Sequence, residues 1–245
     1  PAGGGGAGGR LRGTCQRVLR RRRRGAPQLG CWAMGSVCFG TDAAALARKQ
    51  RAADAGEHRG GCIEVAVAAM LAHPQVAHVQ EYGCWAVACV CVGTDDAAAL
   101  ARMQRTADAG GIELIRSRRW RRCRRTRRIV AAPQAHPQVA GVPQLGCWAM
   151  GSVCFGTDAA ALARKQRAAD AGSIEVAVAA LQAHSQEAEV QRQGCCALRN
   201  VCAGTDAAGF ARMQRAADAG GIEAIVAAMQ AHPQVASVQQ LAVAA

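Results

Sequence analysis

Residues 27–56, PQLGCWAMGSVCFGTDAAALARKQRAADAG, recur without a single change as residues 143–172. The tetrad Gly-Cys-Trp-Ala within this segment also starts at Gly83, and a variant, Gly-Cys-Cys-Ala, starts at Gly194. Self-similarity at intervals of this size is typical of proteins built from stacked structural repeats. The recurring segment therefore predicts a repeat architecture.

The successive tetrads are separated by 53, 63 and 48 residues, which indicates a unit of about 48 residues that two insertions lengthen. Glu57–Cys62 stands where a later copy has Ser173 alone, and Asp96 with an arginine-rich block lengthens the second interval. We expect a disordered Gly- and Arg-rich leader at 1–26 and a repeat array at 27–245. The array divides into a lead-in helix at 27–40 and units at 41–92, 93–155 (with the arginine-rich insertion 116–128), 156–203 and 204–245.

Each unit is predicted to contain three helices. The first is clearest in GTDAAGFARMQRAADAG at 204–220, where Thr205 is the expected N-cap and Gly220 the expected left-handed residue after the C-terminus. Only 3% of the residues are aromatic although 51% are hydrophobic, which favours close-packed helices, and no segment alternates with period two. The predicted class is all-α. In the second helix the apolar residues follow the helical spacing i, i+3, i+4, i+7, as in Ile222, Ile225, Val226 and Met229.

The segment GGIEAIVAAMQAHPQVASVQ at 220–239, together with third helices such as GCCALRNVC at 194–202, resembles the armadillo repeat. It is similar in particular to the subtype found in the armadillo region of leucine-rich repeat kinases and in many protist proteins. The resemblance covers 27–245 and implies an armadillo-like α-solenoid, a right-handed superhelix of stacked helix triplets whose third helices line a concave groove. A HEAT-type solenoid is the structural alternative, because its repeat length overlaps.

The resemblance also implies where a partner would bind. Armadillo proteins that bind extended basic peptides carry a Trp on the third helix and an Asn four residues later. This chain has the Trp in three copies and the Asn in the fourth, never together, which disfavours a nuclear-import receptor. The Trp side chains either form an exposed ladder that stacks on a partner or pack inside the array. The expected groove residues are Trp32, Ser36, Glu81, Trp85, Cys89, Gln144, Trp148, Ser152, Arg192, Cys196 and Asn200.

Eight of the thirteen cysteines follow the repeat as pairs at i and i+7. Two helical turns place such side chains on one face about 10 Å apart, too far for a disulfide or a shared metal ion. We therefore predict small buried hydrophobic residues in a reducing compartment. The pairs are Cys31 and Cys38, Cys84 and Cys91, Cys147 and Cys154, and Cys195 and Cys202.

Residues that could carry chemistry do not converge in the sequence. A histidine ends the second helix of each unit, where the helix dipole favours it, and successive histidines lie too far apart to share a metal. We find no acid–base pair, nucleophile triad, phosphate loop or zinc spacing, so we expect no enzymatic activity, no cofactor and no metal. The histidines are His73, His136, His184 and His232.

The net charge of +13 comes from two segments, because 1–25 and 116–128 hold 17 of the 30 basic residues and no carboxylate. Outside them, 13 basic and 17 acidic residues leave a net charge of −4. The tracts could bind phosphate backbones or act as nuclear addresses, and Trp120 could stack on a base. The second tract interrupts a predicted helix, however, which favours an insertion foreign to the repeat.

These observations predict an intracellular scaffold, in the cytoplasm rather than the nucleus, that holds a protein or peptide segment in its groove. A nucleic-acid-associated protein is one alternative, and a regulatory fragment of a larger kinase-like protein is another. No uninterrupted apolar run reaches about 20 residues, so no membrane partner is expected. We expect a monomer or part of a longer chain.

Deleting the tract 116–128, so that Ile115 joins the resumed helix, should hold or raise the melting temperature. Nine arginines cannot be buried without partners, so the tract should contribute little to the packed array. Thermal unfolding followed by circular dichroism measures the effect. A clear fall in melting temperature would show that the tract belongs to the folded body.

Overall fold

The computed structural model describes residues 26–54, 61–93, 97–112 and 138–245. Every regular element in these ranges is an α-helix, which confirms the predicted all-α class. The insertion 116–128 and the leader up to residue 25 lie outside the described residues. The helices are α1 (Ala26–Cys38), α2 (Ala43–Asp54), α3 (Cys62–Ala72), α4 (Ala77–Cys91), α5 (Ala97–Asp108), α6 (Gly141–Val153), α7 (Ala159–Asp170), α8 (Ser173–Ala183), α9 (Ala188–Cys202), α10 (Ala207–Asp218), α11 (Gly221–Ala231) and α12 (Ala236–Val243).

Equivalent helices of neighbouring units lie side by side. The third helices contact one another in succession, α1 with α4, α4 with α6, α6 with α9 and α9 with α12. The first helices do the same, α2 with α5, α5 with α7 and α7 with α10, and the second helix α8 contacts α11. Each described unit is therefore packed against the unit before it.

The first helices begin with an aspartate cap, not with the threonine that precedes it. Asp206 Oδ1 accepts a hydrogen bond of 2.8 Å from the backbone N–H of Gly209, and Asp158 caps Ala161 at 3.0 Å. The expectation for Thr205 is wrong, because the carboxylate one residue later reaches the N–H groups that the first turn leaves unpaired. These N–H bonds stabilise the charged form and lower the pKa of Asp158. Gly220 is left-handed, with φ of 84°, as predicted.

A glutamine of the third helix holds the end of the second helix. Gln191 Nε2 donates to the carbonyls of Leu181 and His184, both at 2.8 Å, and Gln191 is buried. Gln80 and Gln239 make the same pair of bonds in their own units. These carbonyls lie beyond the intrahelical ladder, so the glutamine supplies the donors that the helix end lacks.

The core is rich in small side chains, and all eight cysteines of the i, i+7 pairs are buried within it, as predicted. Alanine is the commonest residue at the remaining core positions, which lets the helix axes approach closely. Burial raises the pKa of Cys84 and of Cys147 to about 12, because the thiolate would lose its hydration. Such thiols are unreactive at neutral pH.

Native protein at pH 8 should react slowly with Ellman's reagent, and denaturant should release the buried thiols together. Labelling of several of these cysteines within seconds in the native state would contradict their burial. The reaction is followed by the absorbance of the released thiolate.

The same burial predicts a loss of stability at alkaline pH. The unfolded thiols lose their protons near pH 9, whereas the folded Cys84 and Cys147 keep theirs to about pH 12. The folded state then binds more protons, so the free energy of unfolding should fall as the pH rises above 9, by about 1.4 kcal/mol per thiol and pH unit. Urea unfolding at pH 8 to 10.5 measures this slope, and Cys147→Ala should reduce it by the share of one thiol.

Candidate functional site

The residues expected in the groove lie along one face of the third helices, at places four residues apart. Of the eleven, all except Cys89 are at least partly exposed. Cys89 is 2% exposed, and burial raises its pKa to about 12, so its side chain does not reach the surface. Consecutive third helices pack against each other, so these residues lie on neighbouring helices, and the set is called here the third-helix strip. It comprises Trp32, Ser36, Glu81, Trp85, Gln144, Trp148, Ser152, Arg192, Cys196 and Asn200.

The three tryptophans of the strip are only partly covered. Trp32 is 52% exposed, whereas Trp85 and Trp148 are half-buried and contact the edge of the core. The Trp85 indole lies directly against Gly35 of α1, where a Cβ would collide with the ring. The ring therefore packs on the preceding third helix with one side and leaves another side exposed. The tryptophans are thus neither fully buried in the array nor fully exposed on its surface.

The polar residues next to the tryptophans are engaged within the protein. Asn200 Nδ2 donates to the carbonyl of Gly151 on α6 at 3.0 Å, so it ties two third helices together. Ser36 and Ser152 donate to the carbonyls four residues earlier, those of Trp32 and Trp148, at 3.0 and 2.9 Å. Each of these three side chains therefore already donates a hydrogen bond within the protein, and that donor is not free to bind a peptide backbone.

Each charged residue of the strip has a polar partner one helical turn earlier. Glu81 lies 3.3 Å from Nδ1 of His78, and Arg192 forms an ion pair of 2.7 Å with Glu189 one turn earlier. Both pairs are partly exposed, so each contributes little to stability. The strip is therefore largely an apolar and uncharged polar surface, with Glu81 on α4 and Arg192 on α9 as its two charged residues.

A buried arginine of the first helix, which sequence analysis missed, joins neighbouring units. Arg164 is 2% exposed, and its Nε donates to the carbonyl of Val153 at 2.8 Å. Its Nη1 donates to Oε1 of Gln104 in the preceding first helix at 3.2 Å. Gln104 in turn donates to Asp108 at 2.9 Å. The Arg164 guanidinium thus donates to neutral acceptors, and the side-chain amide of Gln104 links it to the carboxylate of Asp108.

The same arrangement recurs along the array. Arg102 donates to Gln50 and Arg212 to Gln166, both at 3.0 Å, and each glutamine bonds to the aspartate four residues later. We call these contacts the Arg–Gln–Asp ladder. A second arginine three residues later reaches the preceding second helix, as shown by Arg105 with Glu64 at 2.9 Å and Arg215 with Glu175 at 2.6 Å.

One rung of the ladder is incomplete. Nη2 of Arg102 is buried and makes no hydrogen bond within the described part of the chain, whereas Nη2 of Arg164 and Arg212 each donates to a carbonyl. At the corresponding place, the carbonyl of Val92 accepts from Lys49 Nζ at 2.7 Å. Burial lowers the pKa of Lys49, because the ammonium is largely withdrawn from water.

The signal for the ladder was present in the sequence. Arginine and glutamine recur two residues apart in every first helix, as in ARKQR and ARMQR, although a solvated helix face would not need fixed residue types. Among the described residues, no three potential ligands lie close enough to hold a metal ion. None of α1–α12 combines the length and the apolar character that crossing a bilayer requires.

Replacing Arg164 by methionine should lower the free energy of unfolding by about 3 kcal/mol, because buried carbonyls and an amide oxygen lose their donor. Urea denaturation measures the change. Arg199→Met, on an exposed position of α9, is the matched control and should change the free energy by less than about 0.5 kcal/mol. Equal effects of the two substitutions would contradict a structural role of the ladder.

No protein-family model matches this chain, and no curated protein matches it. The resemblance to the armadillo repeat therefore depends on residues within the chain itself.

Proposed function

We propose that this chain is a non-enzymatic interaction scaffold, an armadillo-like right-handed α-solenoid that binds a segment of a partner protein along its third-helix strip. The proposal is supported by side-by-side packing of equivalent helices, which extends one surface over several units. Such an extended surface is what repeat proteins use for binding.

The observation that carries the proposal is the partial exposure of Trp32, Trp85 and Trp148 on consecutive third helices. A tryptophan fixed on one side by packing loses little conformational freedom on binding and offers a large contact area. Tryptophan is for this reason enriched among the residues that dominate binding energy.

The chemistry of the strip suggests which segment it binds. Asn200 is already bonded to Gly151, so recognition would depend on side chains of the partner more than on its backbone. The net charge of −4 outside the arginine-rich segments favours a neutral or basic segment. We propose an extended segment with apolar or cationic side chains that stack on the indoles.

Trp148→Ala should weaken binding of such a segment by about tenfold or more, as truncation of an aromatic hot spot does. The probe is a peptide selected from a phage-displayed random library against the whole chain, and its affinity is measured by fluorescence anisotropy. The free energy of unfolding should fall by about 1–2 kcal/mol, less than for a fully buried aromatic residue.

The matched control is Phe155→Ala, an exposed aromatic residue just after α6 that lies off the strip. It should leave the affinity unchanged. The proposal is wrong if Trp148→Ala destabilises the fold strongly while every selected peptide binds as before, because the ladder would then serve packing alone.

A nucleic-acid-associated role is the second candidate, supported by the 17 arginines in two segments without a carboxylate. Binding that depends on phosphate contacts falls steeply with salt. An oligonucleotide that is retained at 50 mM salt but not at 200 mM salt, and that is no longer retained once both segments are deleted, would favour this role.

For the scaffold we propose an intracellular, cytoplasmic location, since the buried thiols suit a reducing compartment. The third possibility, a regulatory fragment of a larger kinase-like protein, would be tested by a full-length transcript.

A further inference from the structure

The third-helix strip offers hydrogen-bond donors as well as aromatic surface. The indole N–H groups of Trp85 and Trp148 make no hydrogen bond within the part of the chain that the structure describes. Neither nitrogen is among the buried side-chain atoms that lack a partner, so both N–H groups are open to solvent. Trp32 on α1, 52% exposed, extends the set by one helix. A segment that binds here therefore needs acceptors that can meet an N–H at the edge of an apolar ring.

The polar neighbours of the rings do not supply such donors. The hydroxyls of Ser36 and Ser152 and the amide of Asn200 already donate to carbonyls of the third helices. At the tryptophan positions, the indole N–H is thus what the strip offers to a carbonyl of a bound segment.

The tryptophan positions follow one another in the same register. Gly35 on α1 lies against Trp85 on α4, and Gly151 on α6 lies against Cys196, which stands in the tryptophan position of α9. At both junctions the glycine three residues after one tryptophan position faces the next tryptophan position. Helices in direct contact have axes about 8–10 Å apart. Neighbouring indole positions are therefore separated by a step of about this size.

This step discriminates between backbone conformations of the bound segment. On one face of a β-strand, residues repeat every ~6.6 Å or ~13 Å, so they miss neighbouring indoles. In a polyproline II helix every third residue faces the same side, and three residues rise about 9 Å. The carbonyls of that helix also make no internal hydrogen bonds, so they are free to accept from the indoles.

We propose that the partner segment is proline-rich, adopts the polyproline II conformation and places every third residue on one of Trp32, Trp85 and Trp148. Proline suits these positions because it has no N–H that would need an acceptor, and its fixed φ prepares the bound conformation before binding. Three indoles require a segment of about seven residues. The inference rests on the proposed function, since it names the partner of the same strip.

The charge of the strip suggests which residues stand between the prolines. Glu81 lies on α4 between the tryptophans, whereas Arg192 lies on α9, beyond the last of them. The net charge of −4 outside the arginine-rich segments acts in the same direction. Lysine or arginine between the prolines therefore fits this part of the strip.

The test uses the whole chain and two nine-residue peptides of equal charge, (Pro-Pro-Lys)3 and (Thr-Val-Lys)3. The first adopts polyproline II, whereas the second favours a β-strand. Fluorescence anisotropy should show saturable binding of (Pro-Pro-Lys)3, at least about tenfold tighter than that of (Thr-Val-Lys)3. Because the charges match, attraction to the acidic body of the protein cannot produce this difference.

Two variants of the protein examine the indole donors. Trp85→Phe and Trp148→Phe keep an aromatic ring on the neighbouring helix but remove the N–H. Each should weaken (Pro-Pro-Lys)3 by about threefold to tenfold, as the loss of one hydrogen bond does, with little change in melting temperature. Phe155→Ala, off the strip, is the matched control and should leave the affinity unchanged.

Equal binding of the two peptides, tighter binding of (Thr-Val-Lys)3 or no binding of (Pro-Pro-Lys)3 would overturn the inference. Unchanged affinity in both Phe variants would overturn it as well, because the indoles would then not donate. The proposed function is judged separately by the peptides from the phage-displayed library. If those peptides depend on Trp148 but lack proline at every third residue, the scaffold stands and the inference falls.

Discussion

Each repeat unit leaves one side of its first and second helices uncovered, and the following unit must bury it. The buried guanidinium at this contact fixes how the two units meet. Arg164 and Arg212 each donate to the third helix of the preceding unit and also to the glutamine of the first helix of that unit. Neighbouring units can shift little around a guanidinium buried in this way, because every hydrogen bond that it loses leaves a buried N–H donor unpaired. Apolar contacts alone would allow neighbouring helices to slide.

The small size of the core residues has consequences for the rest of the structure. Alanine, cysteine and glycine let the helices pack closely, so the polar side chains between them are short of water and must find partners in the protein. The glutamines Gln80, Gln191 and Gln239 satisfy the ends of the second helices. The arginines satisfy the ends of the third helices. Close packing and buried polar bonds thus require each other.

The third-helix strip depends on the same construction. Gly35 lets the Trp85 indole lie on the neighbouring helix, and at Gly151 the corresponding space is occupied by Cys196 and Asn200. Where the Trp ring is present, it forms a partly exposed apolar surface. Where it is absent, the side-chain amide of Asn200 bridges the two helices. The strip therefore differs from unit to unit although the backbone repeats, and recognition along it would vary in the same way.

The sequence by itself determined the helical class, the repeat, the burial of the cysteines and the left-handed Gly220, because these follow from local spacing and from residue size. It misplaced the cap at Thr205, since a threonine and an aspartate side by side are both competent caps and only backbone direction selects one. The exposure of the tryptophans and the burial of Cys89 could not be read from their periodicity, because both depend on the residue that the neighbouring helix presents. The recurring arginine and glutamine of the Arg–Gln–Asp ladder are visible in the sequence, but tertiary structure decided how they pair: Arg164 and Gln104, for example, stand 60 residues apart, and only the stacking of one unit on the next brings them within hydrogen-bonding distance.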